Sequence, residues 1–344
     1  MNPNVFISPA TAAPLTRHPL IEVSYKSMDD RLSRRSFLKN TLRAGAAAWA
    51  AGMGLVPGIR AHARRREAMP RRSLGDTGER VGILGLGGAI AVAGDRDRAA
   101  KIVARALDLG VSYIDTASQY GPSEANIGRV MRERRNEAFL ASKTDDRSRD
   151  GTLRQFEQSL RNLQTDYLDL YQLHAIHDRA AFETARRPDG ALTALEELRE
   201  QGAVRYLGIT AHKNAALLAE LLSEYPFDCV LMSVNAADRH FDSMIKHALP
   251  VARDRDMGII AMKVASYDGR IFRRGGISSM EEALGYTLSN PVSTAIVGIS
   301  SMRELEENVR IAREFEPFSD ETMAELEART ESYSEEASFF KLRW

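Results

Sequence analysis

The chain has 344 residues, 44% of them hydrophobic, enough for one large barrel or two ordinary domains, and this composition excludes a disordered polypeptide. Its single cysteine, Cys229, excludes an internal disulfide, a cysteine-ligated iron–sulfur cluster and a four-cysteine zinc site, and reads as a small core residue. The formal charge is zero, but residues 1–63 carry 8 Lys+Arg against 3 Asp+Glu, leaving 39 against 44 in the remainder. A mildly acidic body has no electrostatic footprint for nucleic acid.

The N-terminal 63 residues read as an address. Ser33-Arg34-Arg35-Ser36-Phe37-Leu38-Lys39 precedes an uncharged, alanine- and glycine-rich stretch, 44–59, which ends near Ala61-His62-Ala63. That stretch is too short and too weakly apolar to cross about 30 Å of hydrocarbon, and its small-residue end fits signal-peptidase cleavage. The pattern resembles a twin-arginine translocation signal. The resemblance implies the translocation machinery as a partner, a periplasmic destination for an already folded chain, a tightly held ligand, and no membrane span after cleavage. The competing reading is a membrane anchor or a basic tail. Residues 1–63 are therefore set aside from the fold, and 64–344 are taken as one body.

From residue 81 onward, short β-prone runs alternate with longer amphipathic ones. The runs at 81–86, 113–116, 138–142, 168–174, 204–210, 229–234, 258–263 and 294–299 predict strands. The patterns at 97–109, 124–132, 152–163, 191–201, 215–225, 242–256, 280–289 and 302–315 predict helices, with Asp95, Gly110, Ser123, Gly202 and Asn214 at the seams. Eight βα units predict an α/β fold of the (β/α)₈ TIM-barrel type. A doubly wound sheet is disfavoured, because Gly85-Leu86-Gly87-Gly88 lacks the GxGxxG spacing. Residues 71–78 predict a hairpin closing the floor, and 320–330 an extra helix.

In such a barrel the catalytic side chains stand at the C-terminal ends of strands. Asp115 ends the second run, with Tyr120 in the loop after it; Lys143 ends the third and His174 the fourth. Each alone has an ordinary structural reading as a loop cap, an edge lysine, a core histidine or loop packing. Together on consecutive strands they predict a proton-handling site. A carboxylate at the end of a buried strand needs a partner.

With these residues in view the chain resembles an aldo-keto reductase. The resemblance rests on Tyr113-Ile114-Asp115-Thr116-Ala117, Tyr120-Gly121, Ser142-Lys143 and Gln172-Leu173-His174. It also rests on Arg72-Ser73-Leu74-Gly75, Leu84-Gly85-Leu86-Gly87-Gly88 and Val297-Gly298-Ile299-Ser300-Ser301 with Glu307-Asn308. It spans roughly residues 71–315. It implies NADPH as cofactor, a small-molecule carbonyl substrate, and hydride transfer with Tyr120 as general acid. Lys143 is then expected to lower the Tyr120 pKa, Asp115 to pair with Lys143, and His174 to hydrogen-bond the carbonyl oxygen. Glu124 and Asn126, in the following helix start, are expected to be structural.

The turn after the last strand, beginning at Gly298, places helix N–H groups where a phosphate can bind. By resemblance Ser300, Ser301 and Arg303 contact the adenosine 2′-phosphate, and Glu307 and Asn308 the adenine. The nicotinamide end departs from the family pattern, which often has Ser-Asn after strand 5, Gln on strand 6 and a stacking Tyr ending strand 7. Here those places hold Thr210-Ala211, Leu231 and Met262, followed by Lys263. Thr210 and Asn235 are expected to hold the carboxamide, and Met262 to lie against the ring. Segment 264–278, with Arg270, Arg273 and Arg274, reads as a solvated loop, the alternative being a cofactor cover or an anion attractor. His177 and His212 are placed at the pocket without metal-ligand spacing. Two other functions fit less well: a Schiff-base aldolase acting through Lys143, and a non-catalytic nicotinamide-binding barrel serving as a redox sensor or subunit.

Overall fold

A strand that is buried on both faces has no polar alternation, and that is how eight short stretches of this chain read. The computed structural model describes residues 68–343, and in it these stretches are β3 (Leu84–Gly87), β4 (Tyr113–Asp115), β5 (Phe139–Thr144), β6 (Leu168–Leu173), β7 (Val204–Ala211), β8 (Cys229–Ser233), β9 (Gly258–Met262) and β10 (Thr294–Gly298). Each pairs in parallel with the next, and β10 pairs with both β9 and β3, closing the barrel. The expected (β/α)₈ architecture is the observed one. The leader predicted over 1–63 lies outside the described residues.

Before the barrel, β1 (Arg71–Ser73) pairs antiparallel with β2 (Arg80–Gly82). The predicted first strand, 81–86, is thus divided: its start is the second arm of the floor hairpin, and the barrel strand begins at Leu84. The apolar run through Ile83 hides this break from periodicity, and Ile83 N–H donates instead to Pro70 O at 2.9 Å. Leu74, from the hairpin, and Val81 plug the barrel floor, in one cluster with Tyr113, Phe139, Ala141, Leu170, Cys229, Leu231, Ile260, Met262 and Ile296. Tyr113 and Phe139 stack there with ring centroids 5.1 Å apart.

The second, larger core lies between strands and helices. Helix α1 (Arg96–Asp108) shows why such helices form: Ala99, Ile102, Val103, Ala106 and Leu107 are buried on one face, and Asp95 caps the start by accepting from Arg98 N–H at 2.9 Å. It is followed by α2 (Ser123–Arg134), α3 (Arg149–Leu163), α4 (Arg179–Arg186), α5 (Ala191–Glu200), α6 (Ala215–Glu224), α7 (Ala248–Asp254), α8 (Met280–Ser289), α9 (Met302–Glu314) and α10 (Asp320–Thr330). Helices α2 and α3 approach closely at Gly128, where a Cβ would sit 2.1 Å from Asn162 O.

Two helical expectations are corrected. The helix predicted over 242–256 begins only at Ala248, because Asp242 has φ +42 and Pro250 has no N–H to donate, so it is accommodated only in a first turn. Helix α4 was not expected; its buried face is just Phe182 and Ala185, too narrow to mark a period. Beyond α10, two further short helices, α11 (Ser334–Ala337) and α12 (Phe340–Arg343), bring the chain end back onto the barrel loops. Among the described residues no helix is long and apolar enough to cross a membrane.

Candidate active site

Barrel register sets the side chains at the C-terminal rim. Asp115 stands opposite Ala141 on β5, and Lys143 opposite Gln172 on β6, so three adjacent strands bring carboxylate, ammonium and carboxamide together. Lys143 Nζ donates to Asp115 Oδ1 at 2.5 Å and to Thr116 O at 2.8 Å, and Gln172 Nε2 lies 3.5 Å from Asp115 Oδ2. The side chains of both Lys143 and Asp115 are almost wholly inaccessible, at 1% and 2% exposure. Gly208 on β7 makes room for Gln172: a Cβ there would lie 2.9 Å from Gln172 Cγ.

Tyr120 reaches back from the β4–α2 loop over this pair. Its ring centroid is 4.9 Å from Lys143 Nζ and 5.9 Å, edge-on, from the His174 ring. The four residues expected to act together therefore do converge at one rim. Ala175, just after His174, holds φ +53, and its N–H donates to Thr210 Oγ1 at 2.8 Å; this fixes the turn that aims the imidazole.

Burial is the largest influence on each titrating group. It pushes the Asp115 carboxyl up against the pull of Lys143, with a net upward shift. It would lower Lys143, but Asp115 and Tyr120 together reverse this and hold the ammonium above its ordinary value. Burial pushes the Tyr120 phenol up, Lys143 opposes it through charge and hydrogen bonding, and the net direction is upward. The expected lowering of the phenol is thus not met by the protein alone, because desolvation outweighs the neighbouring cation. A phenol so held keeps its proton until negative charge develops beside it. Burial, then Lys143 and Arg147, bring His174 down to about 3, so its imidazole is neutral. Its buried Nδ1 has no hydrogen-bond partner among the described residues, nor has Gln172 Oε1. Such orphaned atoms suit a polar ligand.

The turn beginning at Gly298 already holds an anion of its own. Ser300 N–H donates to Glu304 Oε2 at 2.7 Å and Ser301 Oγ to Glu304 Oε1 at 3.3 Å, while Arg98 hydrogen-bonds Ser300 O. This donor set fits a phosphate in place of the Glu304 carboxylate. Arg303 and Glu307 are exposed beside it, and Asn308 is buried. At the other end Asn235 donates to Lys263 O at 2.9 Å and accepts from Asp238 N–H at 3.0 Å, bracing the loops after β8 and β9. Thr210 accepts from Ala175 and keeps its own proton to donate. Met262 is buried within the barrel core. Lys263, at φ +59, lies over the rings of Tyr267 and Phe340 and is lowered to about 8, chiefly by burial.

This rim can be set beside known proteins. The aldo/keto reductase family model matches residues 83–266, which include β4 to β6 and the whole tetrad. The chain belongs to the aldo/keto reductase family. It is 27% identical over 293 residues to an uncharacterized oxidoreductase, YqkF, of Bacillus subtilis, covering 71% of this chain and 91% of that one. It is 26% identical over 307 residues to L-galactose dehydrogenase of Arabidopsis thaliana, covering 75% and 93%. Among solved structures it superposes on the aldo-keto reductase AKR11C1 from Bacillus halodurans (holo form) with a TM-score of 0.65 at 26% identity, covering 76% of this chain and 96% of that chain. As a member of this family the chain is an oxidoreductase.

Glu124 is a buried brace, accepting from Ser142 Oγ at 2.7 Å and Asn162 Nδ2 at 3.1 Å, and Asn126 donates to Val92 O at 2.8 Å. For the arginines of segment 264–278 the sequence predicts a solvated loop, with a cofactor cover or an anion attractor as the alternative. Arg270, Arg273 and Arg274 are all exposed, as a solvated loop requires, and two of them also contact the chain end: Arg270 lies 3.9 Å from the Phe339 ring centroid, and Arg273 pairs with Glu336. Among the described residues no His, Cys, Asp and Glu group could hold a metal ion. The sequence reading missed Arg98, 202 residues from Ser300, and Arg147, which hydrogen-bonds His174 O. No spacing rule links residues so far apart. Arg147 lies in the loop directly after β5, at the rim where site residues are expected.

Proposed function

We propose that the chain interconverts an aldehyde or ketone and its alcohol by NADPH-dependent hydride transfer, with Tyr120 as general acid. A reduced nicotinamide beside the rim supplies the hydride when bound. Tyr120 donates its proton to the carbonyl oxygen as negative charge grows there. Lys143, fixed by Asp115 and Thr116 O, offers the phenolate left on Tyr120 an ammonium at close range, an interaction stronger once the phenol has ionised than before. His174, neutral across the working range, donates a hydrogen bond that orients the same oxygen. Ser300, Ser301 and Arg303 hold the 2′-phosphate at the start of α9, and Arg98 braces that turn; Glu307 and Asn308 lie along the adenine side. Thr210, Asn235, Met262 and Lys263 border the nicotinamide end.

The observation that carries this reading is the Asp115–Lys143–Tyr120 contact at the barrel rim, inside a family of oxidoreductases. The test follows the hydride itself. NADPH deuterated at C4, on each face in turn, is incubated with 4-nitrobenzaldehyde and the protein, and the alcohol is analysed by mass. Deuterium should enter the alcohol from one face only. Alcohol with no label from either face, or no alcohol at all, would contradict the proposal.

A further inference from the structure

Arg147 stands apart from the other arginines near the rim. It follows β5 by three residues, and its guanidinium is half-buried, bound to Thr144 O at 3.4 Å and to His174 O. Among the described residues no carboxylate pairs with it. The acids that influence it are Asp145, Asp178 and Asp146, and all three are engaged elsewhere. Asp145 accepts from Ser118 Oγ and Gln155 Nε2, each at 3.2 Å; Asp146 accepts from Ser148 N–H at 2.8 Å; Asp178 caps α4 through Ala181 N–H at 2.7 Å. A partly desolvated guanidinium with unspent donors and no carboxylate in contact has room for an external anion, while Asp145, Asp146 and Asp178 lend it negative charge only at longer range.

A second donor lies close by. His177 Nε2 accepts His212 N–H at 3.1 Å, and burial with Lys213 and Arg147 lowers the imidazole to about 4. Neutral, and with Nε2 occupied as an acceptor, the ring carries its proton on Nδ1, where it can be donated. Arg147 is hydrogen-bonded to the main chain of His174 itself, and His177 lies three residues further along the same loop, so both donors belong to the turn that carries the imidazole to the carbonyl oxygen.

We propose that Arg147 and the His177 Nδ1–H form an anion subsite in the carbonyl pocket, so that this enzyme's substrates are aldehydes or ketones bearing a carboxylate or a phosphate. This rests on the carbonyl-reductase reading above and adds a substrate class to it. The anion seats on the guanidinium while the carbonyl end reaches Tyr120 and His174.

The experiment measures kcat/KM with NADPH for two matched pairs: 4-carboxybenzaldehyde with its methyl ester, and glyceraldehyde 3-phosphate with glyceraldehyde. Each is assayed on the wild type, Arg147→Gln and Arg147→Lys. In Arg147→Gln the anionic member of the preferred pair should fall about 10- to 100-fold, mainly through KM, as loss of a charge-assisted hydrogen bond implies. The ratio of anionic to neutral kcat/KM should therefore fall by a similar factor, which a loosened His174, acting on both members alike, would not produce; thermal unfolding reports a folded barrel, and Arg147→Lys should recover part of the ratio. The pair that responds tells carboxylate from phosphate. Equal loss on both members, as from a purely structural arginine, or no loss on the anionic ones, would overturn the subsite. Calorimetric titration with 4-carboxybenzyl alcohol separates the two ideas. If no aldehyde is reduced, the functional reading fails, while binding that Arg147→Gln abolishes would still support the subsite and binding that it leaves intact would overturn it.

Discussion

Two buried lysine–aspartate pairs of the same length serve this barrel differently. Lys143 meets Asp115 at 2.5 Å, and Lys341, near the chain end, meets Asp238 at 2.5 Å with both side chains at 0% exposure. Lys341 spends all three of its protons, on Asp238, on Phe241 O at 3.0 Å and on Asp242 O at 2.6 Å. Asp238 is equally committed, accepting also from Ser233 Oγ at 2.8 Å and Ile245 N–H at 3.1 Å. Lys143 spends two, on Asp115 and Thr116 O, and directs the third toward Tyr120. A saturated ion pair can only hold structure together. An unsaturated one, with a titrating phenol in its remaining direction, can assist chemistry.

The comparison breaks first at the latch. Lys341→Met leaves a buried, uncompensated carboxylate and should cost about 3–5 kcal/mol of stability in thermal or urea unfolding, whereas adding Asp238→Asn, which removes the charge and keeps a carbonyl oxygen to accept from Ser233 Oγ or Ile245 N–H, should recover part of it. In each folded variant kcat should stay near that of the wild type. A large fall in kcat with unchanged stability would make Lys341 chemical, against the distinction drawn here.

A smaller change sharpens the rim. In Lys143, burial pulls the ammonium down, and Asp115 is foremost among the groups that bring it back above its ordinary value. Asp115→Asn removes that support while the burial remains, so Lys143 should lose its proton at lower pH. The alkaline limb of kcat/KM should then move to lower pH by about one to three units. A limb that stays in place would show that Asp115 does not set the charge of Lys143.

Much of this was legible in the chain. Asp115, Lys143 and His174 could be placed because each stands at the end of an apolar run, and a barrel has one functional rim. The floor hairpin was misjudged by a few residues, since Val81 to Gly88 offers no polar break. The phenol's direction was misread because a neighbouring cation is visible in sequence and the depth of burial is not. Arg147 was visible, but its lack of a carboxylate in contact depends on where Asp145, Asp146 and Asp178 find their own donors. The Lys341–Asp238 latch joins residues 103 apart, and nothing local marks either of them.

The central claim is that Tyr120, backed by Lys143, delivers the proton. Rapid mixing of NADPH-loaded protein with saturating 4-nitrobenzaldehyde, followed by nicotinamide absorbance through a single turnover, tests it most directly. Tyr120→Phe should slow that turnover by about 10²- to 10⁴-fold while binding NADPH as the wild type does. Turnover at the wild-type rate without the phenol would contradict the account.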